Sequence, residues 1–104
     1  MVEKIDVQKF DELLKGEKTV VCDFYADWCG PCKMLAPVMD KCSEKFEGKA
    51  VFVKVNVDDS YELAARYAVT SIPLVGVFKG GELADKSLGF MPQSAMEDFI
   101  SKNL

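Results

Sequence analysis

The chain has 104 residues, of which 49% are hydrophobic and 29% charged, with 13 Lys and Arg set against 17 Asp and Glu for a net charge of -4. That composition and size fit one globular domain, 1–104, and the acid excess argues against nucleic acid, since phosphate neutralisation needs clustered Lys and Arg. No stretch reaches the ~20 apolar residues of a membrane helix, the opening Met1-Val2-Glu3-Lys4-Ile5-Asp6 lacks the apolar centre of a signal peptide, and there is no histidine.

In chain order, Val2 and Ile5 alternate weakly and predict a short edge strand. Asp6 is placed to cap a helix that carries Val7, Phe10 and Leu14 on one face and ends at Gly16. Thr19 to Ala26 is nearly continuous in apolar residues, as a strand covered on both faces should be. From Cys32 on, Leu35, Ala36, Met39, Cys42 and Phe46 recur at helical spacing until Gly48. Pro31 suits the first turn of that helix, whereas Pro37 lies inside it and should kink it.

Ala50 to Val57 alternates, with Val51, Val53, Val55 and Val57 on one face and Phe52, Lys54 and Asn56 on the other. Asp59 and Glu62 have the spacing of a capping box for a short helix that packs Leu63, Ala64 and Tyr67. Thr70-Ser71-Ile72-Pro73 leads into a strand from Leu74 to Phe78, and Lys79-Gly80-Gly81-Glu82 turns it into a last strand, Leu83 to Leu88. Pro92 starts a final helix with Met96, Phe99, Ile100 and Leu104 as its stripe. The order βαβαβαββα predicts an α/β fold. Four helices flank both faces of a mixed five-stranded sheet, parallel in the centre with an antiparallel hairpin at one edge.

The chemistry gathers at Trp28-Cys29-Gly30-Pro31-Cys32. Two thiols two residues apart can close a small ring with little backbone movement, so dithiol and disulfide interconvert easily. The pair lies where a buried strand hands over to a helix N-terminus, whose unpaired N–H groups and positive dipole end stabilise a thiolate. Cys29, at the start of the helix, is expected to be the exposed attacking thiol, and Cys32, inside the first turn, the resolving one. The rival is half of a zinc site, which needs four ligands. Without histidine those would have to include Cys22 from a core strand and Cys42 from a packed helix face, so no metal is expected. Cys22 and Cys42 read as small core hydrophobes. Asp23 sits in an apolar run and should be buried, with Lys54 the candidate to hold it. A close cysteine pair in a chain with no export signal is expected to work in a reducing compartment, the cytoplasm.

Over nearly its whole length the chain resembles the thioredoxin family. The residues that carry the likeness are Asp23-Phe24-Tyr25-Ala26-Asp27-Trp28-Cys29-Gly30-Pro31-Cys32-Lys33, Ala36-Pro37, Lys54-Val55-Asn56-Val57-Asp58, Ile72-Pro73, Phe78-Lys79-Gly80-Gly81 and Gly89. The resemblance implies the thioredoxin fold and a cis peptide before Pro73, beside the cysteine pair. It implies an enzyme that reduces substrate protein disulfides and is recycled by a thioredoxin reductase, linked to NADPH or ferredoxin, with no cofactor of its own. It further implies that Asp23 accepts the Cys32 proton, and that Trp28, Ile72, Pro73 and Gly89 form a flat apolar surface for an extended substrate segment. Gly30-Pro31 between the cysteines matches the reducing members, and with Lys54 these residues would tune the pair. A monomer is expected. Leu74 after Pro73, Gly76 within a strand, Gly81, and Phe90-Met91 after Gly89 depart from the usual family pattern and bear on partner preference.

Overall fold

The computed structural model describes residues 2–104. Nine elements follow one another as β1 (Glu3–Lys4), α1 (Val7–Leu14), β2 (Val20–Tyr25), α2 (Gly30–Lys45), β3 (Val51–Asn56), α3 (Tyr61–Arg66), β4 (Leu74–Lys79), β5 (Glu82–Leu88) and α4 (Gln93–Ser101). The strands form one mixed sheet in the order β1-β3-β2-β4-β5. β3 runs parallel to both β1 and β2, whereas β4 is antiparallel to β2 and to β5. The expected parallel centre therefore holds on one side of β2 only. The reason lies in the connection: β4 enters from the Ile72-Pro73 turn in the opposite direction to β2, so the seam between parallel and antiparallel pairing falls on β2 itself.

Alternation along β2 divides the core. Val20, Cys22 and Phe24 pack with Phe10 of α1 and Leu63 of α3, while Val21 packs with Leu35, Met39 and Cys42 of α2, with Phe46 at the end of that helix, and with Met96, Phe99 and Ile100 of α4. Successive strand side chains point to opposite faces, so α2 and α4 cover one face and α1 and α3 the other. Asp23 shares the parity of Val21, and the chain thereby aims a carboxylate under α2. Gly76, next to Cys22 across the β2–β4 ladder, cannot carry a side chain without crowding. A Cβ there would stand 3.0 Å from the Phe78 ring and 3.1 Å from Leu83.

Local signals fare unevenly. Asp6 caps α1, its side chain accepting the Lys9 N–H at 2.9 Å. Gly80 and Gly81 both adopt positive φ, +61° and +81°, which a tight hairpin requires and a β-carbon disfavours. The capping box at Asp59 does not form. α3 starts one residue later, with Ser60 at the cap position and no side-chain cap bond, and Asp59 instead pairs with Lys4 at 2.7 Å. An ammonium offered by the edge strand competes successfully with the backbone N–H groups. Pro92 is the residue before α4, not its first, and α4 ends at Ser101, leaving Leu104 exposed beyond the helix instead of on its buried stripe. Ala36 is half-buried, and Pro37 lies inside α2 on its solvent side.

Candidate active site

α2 begins where β2 ends, and Cys29 is its N-cap residue. The Cys29 Sγ accepts the Cys32 backbone N–H at 3.2 Å, in the manner of an oxygen cap, so one of the four orphan donors of the helix start points at this sulfur. The Cys29 carbonyl takes the first helical bond, from the Lys33 N–H at 3.2 Å. Gly30 and Pro31 fill the first two helical positions, where proline's missing N–H costs nothing. A Cβ on Gly30 would meet nothing within 4 Å, so packing does not impose glycine there. Cys29 and Cys32 are joined as a disulfide, their Cα atoms 5.2 Å apart.

Both cysteines are covered. Cys29 is 5% exposed and Cys32 3%, which corrects the expectation that Cys29 is exposed. The cover is local: Ile72, Tyr25 and Val57 pack against Ala26, Cys29 and Cys32, and the Ile72 carbonyl oxygen lies 3.9 Å from the Cys29 Sγ. The Ile72–Pro73 peptide is cis. The Pro73 carbonyl accepts the Gly89 N–H at 2.8 Å, and Gly89 takes φ +92°, a conformation that favours glycine. Ile72, Pro73 and Gly89 are thus tied together next to the disulfide. Trp28, the residue before Cys29, is 72% exposed and is held by a hydrogen bond from its indole N–H to the Asp58 carboxylate at 2.9 Å.

Beneath the pair lies Asp23, 3% exposed in the middle of β2. Its ladder neighbours are Lys54 on β3 and Val75 on β4. Lys54, the candidate to hold Asp23, does not pair with it: among the described residues no ammonium or guanidinium lies within 4 Å of Asp23, and its Oδ1 has no hydrogen-bond partner. Burial pushes the Asp23 carboxyl up to about 7, with the nearby Lys54 charge pulling the other way. A cavity of about 360 Å³ reaches it, lined also by Cys32, Tyr25, Asp27, Lys33 and Lys54. The acid and the second cysteine thus share one small space.

Cys22 and Cys42 are buried on opposite faces of the sheet, apart from each other and from the Cys29–Cys32 pair. They do not converge as zinc ligands. Burial raises both thiols, Cys42 to about 11 and Cys22 well above its usual range. Sequence reasoning gave no role to Asp58, Tyr25, Asp27 or Lys33. Each stands within a stretch that carries the family likeness, but only the fold brings them to Trp28 and to the cavity.

The thioredoxin family model matches residues 1–102. The chain belongs to the thioredoxin family. It is 41% identical over 93 residues to thioredoxin 1 of Nostoc sp., covering 89% of this chain and 87% of that protein. With Bacillus subtilis thioredoxin it shares 43% identity over 89 residues, 86% of each chain. A solved structure of Plasmodium falciparum thioredoxin superposes with a TM-score of 0.91 at 36% identity, covering 99% of this chain and all of that one. The five-stranded sheet with four helices is accordingly the thioredoxin fold, and the paired cysteines make this chain a protein-disulfide oxidoreductase. Members of the family act on disulfide substrates and are generally reduced by a thioredoxin reductase. No described helix is long and apolar enough to cross a membrane.

Proposed function

We propose that the chain, as one domain, reduces protein disulfides in the cytoplasm as a monomer. Cys29 would be the attacking thiol and Cys32 the resolving one. What carries this reading is the cysteine pair at the α2 N-terminus, sharing a cavity with a buried, unpartnered carboxylate. The Cys29 thiolate attacks one sulfur of the substrate disulfide. A Cys29–substrate S–S bond forms, the substrate S–S bond breaks, and the other substrate sulfur leaves as a thiolate. Cys32 then gives its proton to Asp23 and attacks the Cys29 sulfur. The intramolecular disulfide forms, the mixed disulfide breaks, and the second substrate sulfur leaves. Two electrons have passed from the dithiol to the substrate.

Each supporting group has a task in this scheme. Because Cys29 Sγ already accepts the Cys32 N–H, negative charge on that sulfur is met by a donor in place. An acid whose proton affinity lies near neutrality takes the Cys32 proton without holding it, and the cavity lets the proton leave to solvent. Trp28, Ile72, Pro73 and Gly89 seat an extended substrate segment. Gly30, Pro31 and Lys54 tune the pair, and no metal or cofactor takes part. Recycling falls to a thioredoxin reductase fed by NADPH or ferredoxin.

Turbidity from reduced insulin, driven by dithiothreitol or by a reductase, tests the reading. Activity should vanish in Cys29→Ser, while Cys32→Ser should stall as a mixed disulfide that retains its substrates. A Cys29→Ser, Cys32→Ser double variant that still performed the cellular role would assign the chain a binding role instead.

A further inference from the structure

Lys54 has two places to put its charge. Across the β2–β3 ladder it is the direct neighbour of Asp23, and Tyr25 is the diagonal neighbour on the same face of the sheet. Side chains so placed are within reach of either partner. The ammonium goes to the diagonal: Lys54 Nζ stands 5.4 Å from the centroid of the Tyr25 ring, inside the range for attraction to a ring face. Asp23, with the shorter route to a counter-charge, is left with an unpartnered Oδ1.

Resting on the reading of Asp23 as the proton acceptor for Cys32, we propose that Tyr25 is a positioning residue, whose ring holds the Lys54 ammonium back from contact with Asp23 and so keeps that carboxylate without a directly paired counter-charge and able to take a proton. Nothing else that faces the carboxylate would do this. Tyr25 comes from its own strand, Lys54 from β3, Cys32 and Lys33 from α2, and Asp27 from the β2–α2 turn. Only Lys54 and Lys33 are cations. Lys33 is exposed on the helix, which leaves Lys54 as the one cation whose position modulates a proton affinity raised first by burial. β4 contributes Val75, which is apolar. Tyr25 and Lys54 are both half-buried and both line the shared cavity, so ring and ammonium have room to separate if the contact is lost.

The test follows the Asp23 carboxyl carbon by NMR through a pH titration of the oxidised protein, a readout independent of turnover. Tyr25→Leu should move the Asp23 midpoint down by about 1 pH unit, the lower end of what an opposite charge at 4–6 Å does. Tyr25→Phe keeps the ring and should leave the midpoint in place. Lys54→Met should raise the midpoint, and in that background Tyr25→Leu should have no further effect. An unmoved or raised midpoint in Tyr25→Leu, or an equal shift in the presence and absence of Lys54, overturns the proposal. A check on the wild type needs no variant: ring currents should displace the Lys54 ε-methylene protons upfield, and unshifted protons would likewise overturn it. If the midpoints shift as expected but the pH profile of insulin reduction does not follow them, the reading of Asp23 as proton acceptor fails while the positioning stands.

Discussion

The Trp28 indole N–H reaches across the surface to the Asp58 carboxylate at 2.9 Å, joining the residue before the redox pair to the turn after β3. Trp28 is otherwise 72% exposed, so this bond is what gives the ring a fixed place beside Cys29. Two further bonds hold the acceptor in turn: the Asn56 side chain receives the Asp58 N–H at 2.8 Å and the Asp59 N–H at 3.3 Å.

Asp58→Ala should therefore release the ring without unfolding the protein. At an exposed site the bond contributes ~1 kcal/mol, so insulin reduction should fall about fivefold. Trp28 is the only tryptophan in the chain, and its fluorescence should report greater mobility by lower anisotropy. Unchanged anisotropy would mean that Asp58 does not hold the ring.

Alkylation of the reduced protein at neutral pH should mark Cys29 well before the other three thiols. Its sulfur sits at the helix N-cap and accepts a backbone N–H, whereas burial raises Cys42 to about 11 and Cys22 well above its usual range. Because Cys29 is itself largely covered, the preference has to come from thiolate stability more than from access. Mass spectrometry after iodoacetamide treatment reads the order directly. Early labelling of Cys22 or Cys42 would contradict it.

Cys22→Ala and Cys42→Ala, alone or together, should leave insulin reduction nearly intact. Each side chain is fully buried in one of the two main cores, and truncating it removes contact without removing a polar group. A loss of ~1 kcal/mol apiece is expected in denaturant titrations. A folded double variant with most of its activity gone would place one of these thiols in turnover.

Much of this was readable before the fold was known, for identifiable reasons. Apolar continuity marked β2 as covered on both faces, and Cys29 and Cys32 lie in a segment whose strand-to-helix change is written in adjacent residues. Local caps are less safe, because a side chain has distant suitors. Asp6 caps its helix as expected, but Asp59 is drawn off by Lys4, 55 positions away in the chain. Lys54 shows the same limit inside the site. The sequence makes it only a candidate to hold a buried Asp23, and both its place across the ladder from Asp23 and the competing ring of Tyr25 become visible only once β2 and β3 are in register. The cover over Cys29 depends on Ile72, which reaches the pair from 43 residues further on.

Asp23 supplies the prediction in which the sign decides. Its carboxyl is pushed up to about 7 in the folded protein by burial, whereas in the unfolded chain it titrates near ~3.9. Between those values the native state holds a proton that the unfolded state has lost. Stability should therefore fall as pH rises from about 4 to about 7 and level off above, where both states are ionised. The gap spans about 3 pH units, which at ~1.36 kcal/mol each is at most about 4 kcal/mol of destabilisation from this carboxylate. Asp23→Asn removes the ionisation and keeps the shape. It should match wild type near pH 4, exceed it by up to that amount at pH 8, and reduce insulin ~10-fold or more slowly for want of a proton acceptor. Denaturant titrations at the two pH values, with turnover rates alongside, measure both halves. If the variant were the less stable protein at pH 8, Asp23 would be a satisfied structural acid; if it were equally fast, Cys32 would lose its proton by another route.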